Sequence, residues 1–212
     1  VEVGGEACGL EIVLAQHVND AAGLIGSPEV PLVGIGVVSA KKCGVLRRQG
    51  DVGELALKGP GVMSCYYNDE KATAETLKDG WLLTGDMAQE DEDGFIYLVD
   101  RKKDVVISGG ENIYPVQIED HLRKNDKIKD VAVIGVPHAR LGEVTAAIIE
   151  IKEGMTCTEE EIREFCMELP RYKRPNQIIF DKVPRNPTGK IEKPVLREKY
   201  CHGRLVEAQI TG

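Results

Sequence analysis

Apolar and polar positions follow one pattern up to about residue 100 and another beyond it. The first stretch holds short apolar runs cut by turn residues. Pro31 to Val38 is one such run. Val52 to Leu57 alternates and then meets Gly59-Pro60-Gly61, a strong turn signal. Gly80 to Thr84 and Phe95 to Val99 read as two further strands, with Asp93-Gly94 as a hairpin turn before the second. Asn68 to Leu77 has helical residues, with Asn68 or Asp69 as the N-cap. After Asp100 strands alternate with helices. Val105 to Ile107 is a strand. Pro115 opens a helix that runs to about Lys124, at the first position that proline favours. Val131 to Val136 and Thr145 to Ile151 are apolar runs, as in buried strands. Thr158, with Glu161 as its capping-box partner, starts a helix to about Leu169. Gln177 to Phe180 is a strand and Pro194 to Tyr200 a last helix. The pattern predicts a mixed fold: a β-rich part, then a small α+β domain, with the boundary at Asp100 to Asp104.

Composition narrows the class. The chain has 212 residues, 42% hydrophobic and 29% charged, as ordinary globular proteins do. No run approaches the ~18 apolar residues of a membrane span, and no secretory leader opens the chain. Val1 starts inside what reads as a strand or loop, so the sequence reads as a piece of a longer polypeptide. The six cysteines have irregular spacing and no C-x-x-C pair, which speaks for reduced thiols in the cytoplasm rather than zinc or disulfides. A net charge of −8 argues against nucleic acid as a partner. From Arg171 to Arg204, however, ten Lys/Arg face three acids, a balance of +7 that could attract a phosphorylated small molecule.

Four segments can carry chemistry. Thr84-Gly85-Asp86 should set Asp86 in a turn, where a carboxylate can accept hydrogen bonds from ribose hydroxyls; a plain Gly-Asp turn is the other reading. Asp100 to Asp104 is a charged link between two strands, either solvated or a hinge. Ser108-Gly109-Gly110-Glu111-Asn112 allows close backbone approach to a ligand, or is an ordinary turn. Pro184 to Lys190 lacks the spacing of a phosphate loop. Two prolines stiffen it and Gly189 frees the backbone beside Lys190, so it can present one ammonium to developing negative charge. Asp91 to Gly94 resembles half a calcium loop, but a strand follows it instead of a helix, so calcium is not expected there.

Each segment is ordinary alone; their order is not. Val52-Gly53-Glu54-Leu55, Gly80 to Asp86, Asp93 to Asp104, Val106 to Pro115, Gly135 to His138 with Gly142-Glu143, Tyr172 to Pro175, and Pro184 to Ile191 follow one another. This run, over about residues 26–200, closely resembles the adenylate-forming superfamily of acyl-CoA synthetases, peptide-synthetase adenylation domains and luciferases. The resemblance implies residues 1–102 as the end of a large core domain, a β-barrel-like part, and 103–212 as a mobile C-terminal lid. It implies a carboxylic acid–CoA ligase, with a fatty or related acid, ATP, Mg2+ and CoA as reactants. An acyl-adenylate forms first, and a thiol then displaces AMP after the lid rotates. By matching positions, Lys190 is the adenylation lysine, Asp86 and Arg101 hold the ribose, and Lys103 is the hinge. Gly109, Gly110 and Glu111 lie where the pantetheine arm packs, and Lys173 and Arg174 are further cofactor-binding positions. Glu6 falls on the metal-linked glutamate, although Gly5 stands where threonine is expected. The phosphate loop of the family lies upstream of this sequence, and so does the acid pocket, which leaves the acid unread. An adenylation domain loading a carrier protein, and a non-catalytic AMP- or CoA-binding module, are the competing readings. A homodimer stays open.

Overall fold

The computed structural model describes residues 12–14, 34–38 and 50–201. The chain divides into two compact units, Val1–Lys102 and Lys103–Gly212.

The first unit is built on one antiparallel sheet. Its strands are β1 (Ile12–Leu14), β2 (Gly34–Val38), β3 (Val52–Lys58), β4 (Leu77–Lys78), β5 (Trp81–Glu90) and β6 (Ile96–Arg101). They run in the order β1-β2-β3-β5-β4, and β6 also pairs with β5. Among the described residues no strand pairing closes this sheet. Helix α1 (Glu70–Thr76) starts where Asp69 accepts a hydrogen bond from the Ala72 N–H at 2.9 Å.

The expected turn at Asp86 is corrected. The strand does not stop at Thr84; β5 continues to Glu90, and Thr84, Gly85 and Asp86 form a bulge in it. The β3 register passes from Ala56 opposite Leu83 to Glu54 opposite Met87 across this bulge. Side chains satisfy the backbone there. The Gly85 N–H donates to Glu54 Oε1 at 3.1 Å, and the Asp86 N–H to Thr84 Oγ1 at 3.1 Å. A bulge of this kind turns the strand without ending it, and re-aims the side chains next to it.

The second unit contains β7 (Val106–Ser108), β8 (Glu111–Ile113), β9 (Ile128–His138), β10 (Gly142–Ile151) and β11 (Gln177–Phe180). Strand β10 is central. It pairs antiparallel with β9 along its length, parallel with β11, and meets β7 at Gly142 opposite Ser108. Among the described residues three α-helices accompany the sheet: α2 (Pro115–Leu122), α3 (Glu159–Phe165) and α4 (Lys193–Cys201). Helix α3 has the expected capping box between Thr158 and Glu161 but ends early, passing into a 3-10 turn at Cys166–Glu168.

Alternation along β9 and β10 explains the apolar runs. Successive side chains leave a strand on opposite faces. Val131, Val133, Ala147 and Ile149 pack with Ile118 and Leu122 of α2 and Ile162 of α3. Ala132, Ile134, Val136, Ala146 and Ile148 pack on the other face with Val183 and Leu196 of α4. Both faces are covered, so the middle of each strand is apolar apart from the buried Thr145, and the charged residues stand towards the strand ends.

Candidate functional site

In the first unit the bulge in β5 places Asp86 directly opposite Arg101 of β6. Arg101 Nε lies 2.8 Å from Asp86 Oδ1. One carboxylate, fixed by a guanidinium, is thus presented from the sheet beside the bulge. Glu54 supports it from below: it is buried, receives Lys102 Nζ at 2.7 Å, and holds the Gly85 N–H. In the sequence Glu54 stands only as part of the Val52 to Leu55 motif. Its signal was a charged residue at the apolar phase of an alternating strand.

Lys103 is exposed and is the first residue of the second unit, within the 3-10 turn Lys102–Asp104. Asp104, next in sequence, is buried and receives Arg197 Nη2 of α4 at 2.6 Å. The chain is therefore tied down one residue after Lys103.

Gly109 and Gly110 form the two-residue turn between β7 and β8, with Ser108 opposite Glu111. Both have positive φ, +58° and +90°, as a two-residue hairpin of this hand requires. The Gly109 N–H donates to the Leu141 carbonyl at 2.9 Å, which ties the turn to the loop before β10. A Cβ added at Gly110 would meet nothing within 4 Å, so its backbone is open to approach. Beside this turn lies a cavity of about 460 Å³, lined in part by Ser108, Leu141, Arg171, Tyr172 and Arg174. The fold therefore brings Ser108, next to the Gly-Gly turn, into one depression with Arg171, Tyr172 and Arg174. Arg174 is partly engaged: its guanidinium donates to the Leu169 and Met167 carbonyls, both at 2.9 Å. Lys173 Nζ lies 5.5 Å from the Tyr172 ring centre, within cation–π reach.

Lys190 does not line that cavity. It closes the loop that begins at Arg185, and it is exposed. Arg185 and Ile191 form a bridge across the base of the loop. Inside it, Asn186 Oδ1 accepts from the Thr188 N–H at 3.1 Å, from Thr188 Oγ1 at 2.8 Å and from the Lys190 N–H at 2.8 Å. The Asn186 N–H donates to the Lys190 carbonyl at 2.9 Å. Gly189 reaches φ +82° to complete the turn. The backbone of Lys190 is thus held at both its N–H and its C=O, while its side chain stays free to reach outward.

Both ends of this loop are charged anchors. Upstream, Arg185 Nε and Nη2 grip both oxygens of Asp130 at 2.6 and 2.8 Å. Burial alone would raise the Asp130 carboxyl. The hydrogen bond and charge of Arg185 and the Val131 N–H outweigh it, so it titrates below its ordinary value. Downstream, Lys193 Nζ reaches Glu119 Oε1 of α2 at 2.8 Å, and that oxygen also accepts the Val133 N–H at 2.8 Å. Neither acid was singled out in the sequence, because each is far in sequence from the loop it anchors. Glu6 lies outside the described residues. Among the described residues no group of three or more His, Cys, Asp or Glu side chains is arranged to hold a metal ion.

Comparison with known proteins agrees with this arrangement. Residues 117–190 match the family model described as the AMP-binding enzyme C-terminal domain. A long-chain-fatty-acid–CoA ligase of Mycobacterium tuberculosis, FadD13, is 43% identical over 159 residues, covering 74% of this chain and 31% of that protein. The ATP-bound structure of MatB from Rhodopseudomonas palustris superposes with a TM-score of 0.72 at 35% identity, covering 81% of this chain and 35% of that one. The O-succinylbenzoate coenzyme A synthetase MenE from Bacillus subtilis, in complex with AMP, superposes with a TM-score of 0.67 at 32% identity, covering 77% and 33%. The chain spans about a third of the length of the curated relatives it matches. With its lysine loop, its Gly-Gly hairpin and these likenesses, the chain belongs to the adenylate-forming superfamily and carries that family's AMP-binding enzyme C-terminal domain.

Proposed function

We propose that this chain is the C-terminal part of an ATP-dependent carboxylic acid–CoA ligase acting on a fatty or related acid. In the first half-reaction a carboxylate oxygen bonds to the α-phosphorus of ATP, and the bond to pyrophosphate breaks. In the second, the CoA thiol loses its proton, its sulfur bonds to the acyl carbon, and AMP leaves. Lys190 serves the first step. Its ammonium stabilises the negative charge shared between carboxylate and α-phosphate, an effect that is large where donors are preorganised. Asp86, braced by Arg101, takes the ribose hydroxyls. The Gly109-Gly110 hairpin, with Glu111, Lys173 and Arg174 nearby, serves CoA in the second step. Lys103 is the hinge between the two. Mg2+ accompanies ATP, and its proposed contact, Glu6, lies in the part of the chain not described.

The observation that carries this reading is the locked backbone and free side chain of Lys190. A residue needed only for folding has no use for a rigid loop that ends in an exposed ammonium. The test uses the full-length protein and follows the two half-reactions separately. Lys190→Ala should lower pyrophosphate release by about 10²–10³-fold, the usual size of losing one preorganised charge-stabilising donor. Thioester formation from supplied acyl-adenylate should stay near the wild-type rate. Adenylation at the wild-type rate in this variant would overturn the reading.

A further inference from the structure

We propose that Asp130, acting through Arg185, is a positioning residue for Lys190; the proposal rests on the adenylation role of that lysine. The argument is geometric. A guanidinium is planar and rigid, so fixing two of its nitrogens fixes where the third points. Asp130 takes Nε and Nη2 of Arg185 in a two-point grip at 2.6 and 2.8 Å. The remaining nitrogen, Nη1, donates to the carbonyl of Gly189, the residue just before Lys190. The result is a continuous path from strand β9 to the peptide that carries the lysine.

Asp130 is itself fixed. Its Oδ1 also accepts the Val131 N–H at 2.9 Å, and its side chain is 14% exposed against 43% for Arg185. The carboxylate therefore belongs to the sheet, while the guanidinium extends from it towards the loop. Asp130 stands opposite Glu150 in the β9–β10 pairing, at the end of the apolar run and outside both hydrophobic clusters. A partly exposed ion pair of this kind contributes little to stability. Its use is orientation: two-point pairing adds direction to attraction. The peptide between Gly189 and Lys190 sits at the point of the loop where Gly189 takes φ +82°, so a small rotation there swings the lysine.

The experiment uses the full-length enzyme and Asp130→Asn, which keeps the shape and removes the charge. Pyrophosphate release should fall roughly ten- to hundred-fold, as expected of a reacting group displaced by about 1 Å. Thioester formation from supplied acyl-adenylate should stay within about two-fold of wild type, because Lys190 serves only the first step. Asp130→Asn/Lys190→Ala should adenylate no worse than Lys190→Ala alone, since the acid acts through the lysine. If Asp130→Asn does not fold, Arg185→Lys reads the same split, because lysine keeps the charge but not the fork.

Unchanged adenylation in a folded variant would overturn the proposal, provided Lys190→Ala is impaired. Equal loss of both half-reactions, or losses that multiply in the double variant, would also overturn it, since either marks a general structural role. If Lys190→Ala itself adenylates normally, the functional reading fails first and takes this proposal with it.

Discussion

Asn186 accepts three hydrogen bonds on one side-chain oxygen, and Gly189 supplies the one backbone conformation that lets the loop close over it. A Cβ at Gly189 would meet nothing within 4 Å. Gly189→Ala therefore isolates the backbone term: about 1–2 kcal/mol for forcing an L-residue into the left-handed region. Urea unfolding of the variant should show a loss of that size or less, because the exposed loop can open locally instead. The loop that carries Lys190 was legible in the sequence because Pro184, Pro187 and Gly189 mark it with turn chemistry. Asp130 was not. It reads there as one more charged residue at a strand end, and only folding brings it to Arg185, 55 positions away.

At the scale of elements, one carboxylate helps to tie the Gly-Gly hairpin to β10. Strand β7 meets β10 only at Ser108 opposite Gly142, and the Ile107 N–H is held instead by Glu143 Oε2 at 3.2 Å. Gly135 makes room for that side chain: a Cβ there would lie 3.0 Å from Glu143 Oε1 and 3.1 Å from Cδ. Gly135→Ala should then destabilise the second unit by about 1–3 kcal/mol, as overpacking does. Adding Glu143→Ala to it should recover part of the loss, and the two effects should be less than additive in denaturant unfolding. Both positions were visible as motif residues, but not that one is small because the other is large. Strands β9 and β10 were legible because both faces are buried and their central residues are mostly apolar. The bulge at Thr84 to Asp86 was not, because glycine before aspartate signals a turn equally well. The choice was made by Glu54, a residue in another strand.

At the scale of the whole molecule, charge pairs between distant segments of the second unit make its stability depend on pH. Asp181 is drawn down to about 2 from an ordinary 3.8, chiefly by Lys199 and Tyr200. Glu161 is drawn down to about 2 from 4.5, first by Lys127 and then by Cys157 and the Thr158 N–H. Both carboxyls are depressed in the folded state, so their contribution is full above the unfolded values and is lost as pH falls through the folded ones. The melting temperature of the chain should hold from neutral pH to about pH 5 and then fall towards pH 2. In Asp181→Asn the part of that fall due to Asp181 should disappear, with a lower melting temperature at neutral pH. The change of pattern near Asp100 was legible as a switch in periodicity, and the compact units part at Lys102 and Lys103. No local signal, by contrast, marked the pairing of Asp104 with Arg197, 93 residues apart.

The helix that follows the lysine loop has a bearing on how such proteins are trimmed. Leu196 of α4 lies over Ala132, Ile134 and Ile148, and Lys193 of the same helix reaches the buried Glu119. A chain cut just after Lys190 would keep the lysine, uncover the side of the sheet on which Leu196 packs, and take from the buried Glu119 its partner Lys193. Such a protein should be less soluble than the intact chain, because a newly exposed apolar face favours association. The last helix is thus a lid for the sheet rather than a tail, and an inactive truncation there would report on solubility, not on catalysis.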